Sequence, residues 1–226
     1  MNDSNAENQT AKSEPVAAPR GPSRFLIWLP LLALIPVVLA VAAFFLMRDT
    51  YQPYGTRLIN VRPLEANQFT LQNPQGKPVS LSDFSGKVTL IFFGFVNCPD
   101  VCPTTMLELR KVHQALSPVE RERVQVVLIS VDPDRDTKEE LGKYVSFFDP
   151  TFVGLTGTND QVAEVAKKYG VFYQKSQIKS STEYNVDHTA TVFALDGKGQ
   201  LRLIYGNGRA AETDRVVRDV RWLLRG

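Results

Sequence analysis

Cys98 and Cys102 are the only cysteines among the 226 residues, and three residues separate them in FFGFVNCPDVCP (92–103). Two thiols this close can cycle through a disulfide or, as thiolates, hold a soft metal ion such as copper or zinc. Each precedes a proline, Pro99 and Pro103, and the residue before a proline is pushed out of the α region. Both cysteines are therefore expected in a loop, with a helix opening at Pro103, a residue suited to the first helical position. The unpaired N–H groups and partial positive charge of a helix N-terminus favour thiolate. Two blander readings stand beside this one. The pair is two inert buried residues, or it is a permanent disulfide, although so short a loop gains little from cross-linking.

The chain has two histidines. His113 shares the helical spacing of Met106, Leu109 and Leu116, so it faces a core and reads as structural. Met106, four residues after Cys102, carries a thioether but lies on the same stripe and also reads as core. His188 lies in YNVDHTATVF, just ahead of a strand, where a neighbouring strand is able to bring it to the cysteine loop. Spacing alone leaves ligand and plain loop residue both open. Asp132 and Asp136 lie in ISVDPDRDT (129–137). Asp136 with Glu139 reads as a capping box, and Asp132-Pro133 as a turn. Asp187 adjoins His188, but neighbours along an extended chain point to opposite faces, which argues against its orienting the imidazole.

Periodicity supplies the elements that must position these residues. KVTLIFFGFVN (87–97) and VQVVLISV (124–131) are continuous apolar runs, as strands buried on both faces require. A hairpin over 68–83 turns at Asn73-Pro74-Gln75-Gly76. Helices are expected over 103–116, from Asp136 through Phe147, from Thr158 with Gln161 to Tyr169-Gly170, and over 212–224. A short strand over 152–155 and a hairpin over 188–206 turning at Asp196-Gly197 complete the pattern. Alternating strands and helices that end in a hairpin and a helix predict an α/β sheet with helices on both faces.

The totals narrow the function. Lysine and arginine number 26 against 24 acidic residues, a net charge of +2, which gives no field for nucleic acid. Two cysteines suffice neither for a disulfide scaffold nor for a four-cysteine zinc site. No GxGxxG or GxxxxGK[ST] sequence supports nucleotide chemistry.

Residues 1–24 read as a disordered polar tail. Residues 25–47 then run without a charge, about 34 Å of helix against a hydrocarbon core of about 30 Å. They are expected to form a transmembrane anchor, followed by a linker over 48–60 and one domain over 61–226. A cleaved signal peptide is the competing reading, with Ala40-Val41-Ala42 as its small-residue pattern, but the apolar run is too long for one and continues past that point. Lys12, Arg20 and Arg24 before the run and Arg48, Arg57 and Arg62 after it leave orientation open. Asp3, Glu7 and Glu14 in the tail are unlike an acid-poor transit peptide and favour a bacterial protein.

CPDVCP after an aromatic-rich strand, ISVDPDRDT and NVDHTA (185–190), in that order over roughly residues 60–226, together resemble the SCO/SenC family of copper-binding assembly proteins. The resemblance implies a thioredoxin-like fold behind one N-terminal anchor, with the domain in the bacterial periplasm and the anchor single-pass in the inner membrane. It implies copper, as Cu(I) or Cu(II), held by Cys98, Cys102 and His188, and makes Asp132 or Asp136 a candidate to steady the cysteine loop from behind. It further implies work on the binuclear copper centre of cytochrome c oxidase. Partners would be the oxidase's copper-bearing subunit, copper donor or thiol reductant proteins, and the membrane through residues 25–47. A metallochaperone of this kind is not primarily an enzyme. The rival reading is a tethered thiol-disulfide reductase in which Cys98 and Cys102 cycle and His188 tunes them. Against it, the pair has three intervening residues where CxxC enzymes have two, and no proline follows Pro150 to face the cysteines as the cis-proline of thioredoxins does.

Overall fold

The computed structural model describes residues 29–48, 51–58 and 67–226, with side chains in the first of these segments from Leu34 to Phe44. The expected polar tail over 1–24 lies outside the described residues, as do the first residues of the expected anchor and part of the expected linker. The chain divides into two compact units, Met1–Tyr51 and Gln52–Gly226.

In the first unit α1 runs Leu29–Arg48 with Pro36 inside it. Its described side chains are apolar and mostly exposed. No helix among the described residues is long and apolar enough to cross a membrane.

The second unit is built on β4 (Val88–Gly94) and β5 (Val124–Ser130), in which every residue is buried. They pair in parallel from Val88↔Val124 to Gly94↔Ser130, and β6 (Val153–Leu155) continues the parallel set beside β5. On the other side β9 (Val192–Leu195) runs antiparallel to β4. Next come β10 (Leu201–Tyr205) and the short edge strand β1 (Thr56–Arg57), each antiparallel to its neighbour. The resulting mixed sheet has the order β1-β10-β9-β4-β5-β6. β2 (Thr70–Gln72) and β3 (Pro78–Ser80) form the expected separate hairpin. The β9–β10 turn is longer than a two-residue one: Asp196 Oδ1 accepts from the N–H groups of Lys198 and Gln200, both at 3.0 Å.

Right-handed crossovers that step in one direction across a parallel sheet put their helices on one face. So α2 (Val101–Gln114), between β4 and β5, shares a face with α4 (Lys138–Phe148), between β5 and β6. The short α3 (Pro118–Glu122) leads into β5. α5 (Asn159–Tyr169) covers the other face, where the Tyr169 ring meets Phe93 at 5.5 Å and Phe193 at 5.3 Å. α6 (Thr213–Leu223) packs beside α2. Helices thus lie on both faces, as expected. The α5 boundaries match expectation: Thr158 and Gln161 cap its start, and Gly170 closes it with φ 69°. The start of α4 does not. Its capping pair is Thr137 with Glu140, one residue later than Asp136 with Glu139, because the Asp136 side chain is buried and accepts other donors.

The buried hydrophobic core runs from Phe69 to Leu223, so Gln52–Gly226 carries its own core. Asp219 fastens the start of that unit to α6. This fully buried carboxylate accepts from the N–H groups of Tyr54 (2.9 Å) and Gly55 (2.8 Å) and from the Tyr205 hydroxyl (2.9 Å). Asp219→Ala strands those donors and should cost about 2–4 kcal/mol of unfolding free energy. Chemical denaturation reads the loss, and amide exchange at Tyr54 and Gly55 should accelerate with it. An unchanged midpoint contradicts the assignment.

Candidate metal centre

β4 ends at Gly94, and the chain turns through Phe95–Asp100 before α2 begins at Val101. Cys98 lies in that turn, but Cys102 lies in the first turn of the helix, which corrects the expectation that both are loop residues. Thr104 N–H donates to Asp100 O at 3.3 Å, so the helix is already under way. Pro103 is its third residue, where an N–H has no intrahelical acceptor to lose, and the helix tolerates a helical Cys102 ahead of it.

Cys102 is fully buried. A Cβ built on Gly94 would lie 2.9 Å from Cys102 Sγ and 2.9 Å from Phe92 Cε1. The sulfur therefore packs over the end of β4 where no side chain fits. The N–H of Cys102, at the start of α2, donates to Cys98 Sγ at 3.4 Å. Both cysteines are free thiols.

His188 arrives on an element that periodicity did not reveal. It ends β8 (Asn185–His188), which pairs antiparallel with β7 (Tyr173–Ser176) in a small hairpin apart from the main sheet, with Tyr173 opposite His188. These strands are short and mostly polar, so they carry little apolar alternation. Thr189 secures the hairpin. Its N–H donates to Phe172 O at 2.9 Å, and its hydroxyl oxygen accepts from Phe172 N–H at 3.1 Å. The imidazole stands edge-on to Phe92 and Phe95, with centroids 6.0 and 5.7 Å away. His188 Nδ1 lies 3.3 Å from Thr189 O. A carbonyl only accepts, which assigns the proton to Nδ1 and leaves the Nε2 lone pair facing Cys102 Sγ at 3.4 Å.

The two sulfurs and Nε2 all lie within 4.8 Å of one another. Three donors around one metal at bonds of about 2.0–2.3 Å stand roughly 3.5–4 Å apart, so the group fits a bound ion with little movement. Two sulfurs and an imidazole suit copper, above all Cu(I).

The sulfurs share one proton. The Cys98 thiol is held down at about 4, first by hydrogen bonding from the Cys102 S–H, with burial opposing. Cys102 is pushed up beyond the ordinary thiol range by that same hydrogen bond and by burial. The metal-free pair is thus a Cys98 thiolate beside a Cys102 thiol.

Neither Asp132 nor Asp136 belongs to this group of three. Asp136, 2% exposed, accepts through Oδ2 from Val96 N–H at 3.0 Å and Ser130 Oγ at 2.7 Å. It ties the turn ahead of Cys98 to the end of β5. Burial raises its pKa to about 6, against these donors. Asp132 accepts from Arg135 Nε at 2.5 Å and from the Tyr184 hydroxyl at 2.6 Å. Arg135 stacks 3.7 Å over the Tyr184 ring and donates to Tyr184 O at 2.7 Å. Asp132 and Arg135 therefore brace the chain just before β8. Arg135, Tyr184, Thr189 and Gly94 escaped the sequence reading. Only Gly94 left a signal, since a glycine inside a buried strand marks close approach. His113 is structural, 3.3 Å from Asp149 and edge-on to Phe152. Met106 is core. Asp187 is exposed opposite Gln174.

A family model described as SCO1/SenC matches residues 60–225. The mouse protein "SCO2 homolog, mitochondrial" is 34% identical over 174 residues, covering 75% of this chain and 66% of the mouse protein. The corresponding share falls to 44% for yeast SCO2, so the chain spans about half to two thirds of the length of its curated relatives. Apo Sco1 from Thermus thermophilus is 50% identical with a TM-score of 0.70, over 77% of this chain and 99% of that one. ScoI from Bradyrhizobium japonicum, solved with copper bound, is 36% identical with a TM-score of 0.61, over 68% and 96%. The fold is the thioredoxin-like one of these proteins.

A lowered pKa keeps a thiol ionised as pH falls. In the reduced, metal-free protein, ultraviolet thiolate absorbance should persist below neutrality and disappear only through about pH 4. Cys102→Ala removes the S–H donor and should move that midpoint up towards the ordinary value of 9.0. Two thiols titrating together near 9 in the unaltered protein contradict the shared proton.

Proposed function

The chain belongs to the SCO1/SenC family, and on that premise we propose that it is a membrane-anchored copper chaperone whose ligands are Cys98, Cys102 and His188. It binds copper and delivers it to, or helps mature, the binuclear copper centre of cytochrome c oxidase. The observation that carries this reading is the convergence of two sulfurs and the Nε2 lone pair within 4.8 Å at the start of a helix. Copper in the related ScoI supports the choice of metal, and another relative is described as a member of the Sco family of cytochrome c oxidase assembly proteins. Residues 25–47 form the anchor in this reading, single-pass in a bacterial inner membrane, with the copper-binding unit in the periplasm. The apolar composition of α1 supports that placement.

The residues divide the work. Cys98 is already a thiolate at neutral pH and supplies the first sulfur. Cys102 supplies the second by giving up the shared proton. Thr189 O holds the His188 proton on Nδ1, so the imidazole is ready through Nε2 without rearranging. Bound copper is soft cargo in a three-ligand site that leaves a position for a ligand from the oxidase subunit, and transfer then proceeds by ligand exchange. A second reading has its own support. A thiolate beside a thiol is also the reactive arrangement of a disulfide-exchange pair, so a tethered reductase acting on the oxidase's cysteines remains the alternative role.

Anaerobic titration of the reduced protein should give one copper per chain and release about one proton near pH 7, the proton from Cys102. Cys98→Ser, Cys102→Ser and His188→Ala should each abolish uptake or weaken it at least about tenfold. If all three keep full stoichiometry and affinity, the reading fails. His188→Ala separates the two roles, because a reductase keeps thiol exchange without the imidazole whereas a chaperone loses its metal. Gly94→Ala displaces Cys102 Sγ without removing a ligand, and should weaken copper binding by about 10–100-fold while the protein stays folded. Unchanged affinity in Gly94→Ala means the close approach does not set the site.

A further inference from the structure

We propose that the outer edge of the sheet, formed by β1, β10 and the exposed side of α6, is a second membrane contact that rests on anionic phospholipid headgroups. Among the described residues five arginines gather there: Arg57, Arg202, Arg209, Arg215 and Arg218. Two aromatic rings are interleaved with them. Tyr54 lies between Arg209 and Arg215, whose guanidinium carbons stand 4.2 and 5.1 Å from its centroid. Trp222 lies between Arg57 at 5.8 Å and Arg202 at 5.2 Å. Along α6, Arg215, Arg218 and Trp222 fall on one side of the helix, opposite the buried Val216, Val217, Val220 and Leu223.

Among the described residues four carboxylates lie at this edge, Asp219 buried beneath Tyr54 and three others. Asp196 pairs with Arg202 at 2.9 Å, Glu212 lies 3.7 Å from Arg215, and Asp214 is exposed. Four exposed arginines, Arg57, Arg209, Arg215 and Arg218, stand against the exposed Glu212 and Asp214, so this edge is positive on its surface, whereas the whole chain carries only +2. Arginine with half-buried tyrosine and tryptophan is the set of side chains that membrane interfaces favour. The rings sit at headgroup depth, and the guanidiniums donate in pairs to phosphate oxygens.

Chain length selects lipid over other acidic partners, and this step depends on the anchoring role given to residues 25–47. α1 ends at Arg48, and Tyr54 is already fixed to the second unit through Asp219 and through Arg209 Nη2, which donates to Tyr54 O at 2.8 Å. Six residues of extended chain reach at most about 20 Å. In an anchored chain the Tyr54 corner can never leave the neighbourhood of the headgroups. The register adds a consequence for the copper site. Tyr205 pairs with Val192, and Val192 with Phe92, so the end of β10 beside Tyr54 is level with the end of β4 that leads to Cys98. Three strand spacings, about 14 Å, separate β1 from β4. Docked on this edge, the unit holds Cys98 and Cys102 near the bilayer and clear of it.

Gln52–Gly226 contains the buried core of the described residues, so binding can be measured without α1, and Trp222 is then its only tryptophan. The unit should sediment with vesicles of phosphatidylcholine and phosphatidylglycerol but not with phosphatidylcholine alone. Trp222 fluorescence should shift to the blue on binding, and added salt should release the protein. Each arginine removed should cost roughly fivefold in partitioning, so Arg57→Glu with Arg218→Glu should lose at least about twentyfold. The same reversal at exposed Lys111, on α2, should change nothing. Copper uptake should be intact in both variants, which keeps this test separate from the ligand assignment. Membrane fractionation of the full chain tests the anchor separately. No binding to the anionic vesicles, equal binding to neutral ones, or tighter binding to polyglutamate than to vesicles overturns the proposal; the last outcome assigns the edge to an acidic protein.

Discussion

The sulfur of Cys102 rests on a strand position that has no side chain, and the rest of the centre is arranged around that contact. β4 is buried throughout and ends at Gly94, where even a methyl group would stand 2.9 Å from the sulfur. A position so tightly packed gives Cys102 one place to be. Its backbone N–H then reaches Cys98 Sγ, and its own sulfur reaches His188 Nε2. The turn between is held from below by Asp136, through Val96 N–H. The approach of His188 is held from the side by Thr189 and by the Asp132–Arg135–Tyr184 cluster. Rigid β-sheet supplies the precision, and a short loop supplies the chemistry.

Electrostatics and packing act together at this corner. Burial alone would keep both thiols protonated. The helix start and the Cys102 S–H instead concentrate negative charge on Cys98, the less buried sulfur. Cys102, sealed under α2, keeps the proton. The asymmetry produces a site ready to accept a soft cation with the loss of a single proton. In the proposed role the same pair supplies two thiolate ligands when reduced and none when oxidised to a disulfide. The aromatic rings of Phe92 and Phe95, edge-on to the imidazole, limit its rotation.

Much of this was legible because it is local. Continuous apolar runs marked β4 and β5, and Thr158, Gln161 and Gly170 marked both ends of α5. The errors came where two local rules competed. The stretch Asp136-Thr137-Lys138-Glu139-Glu140 contains two overlapping capping patterns, and only the burial of Asp136 decides between them. The preference against helix before proline was outweighed at Cys102, since the first turn of a helix has no acceptor for the missing N–H. β7 and β8 left almost no trace, being short and polar, and so the route by which His188 crosses 86 residues to Cys102 came from the family resemblance and not from periodicity. Gly94 was readable in principle as a glycine in a buried strand; what it makes room for required the fold.

The central claim is that two sulfurs and one imidazole of this chain form a single copper site. X-ray absorption at the copper edge, on the reduced protein loaded with one equivalent, reports the ligand atoms directly. The account predicts two sulfur neighbours and one nitrogen neighbour, with the nitrogen lost in His188→Ala. A shell of nitrogen and oxygen alone, or a spectrum indifferent to His188→Ala, would contradict it.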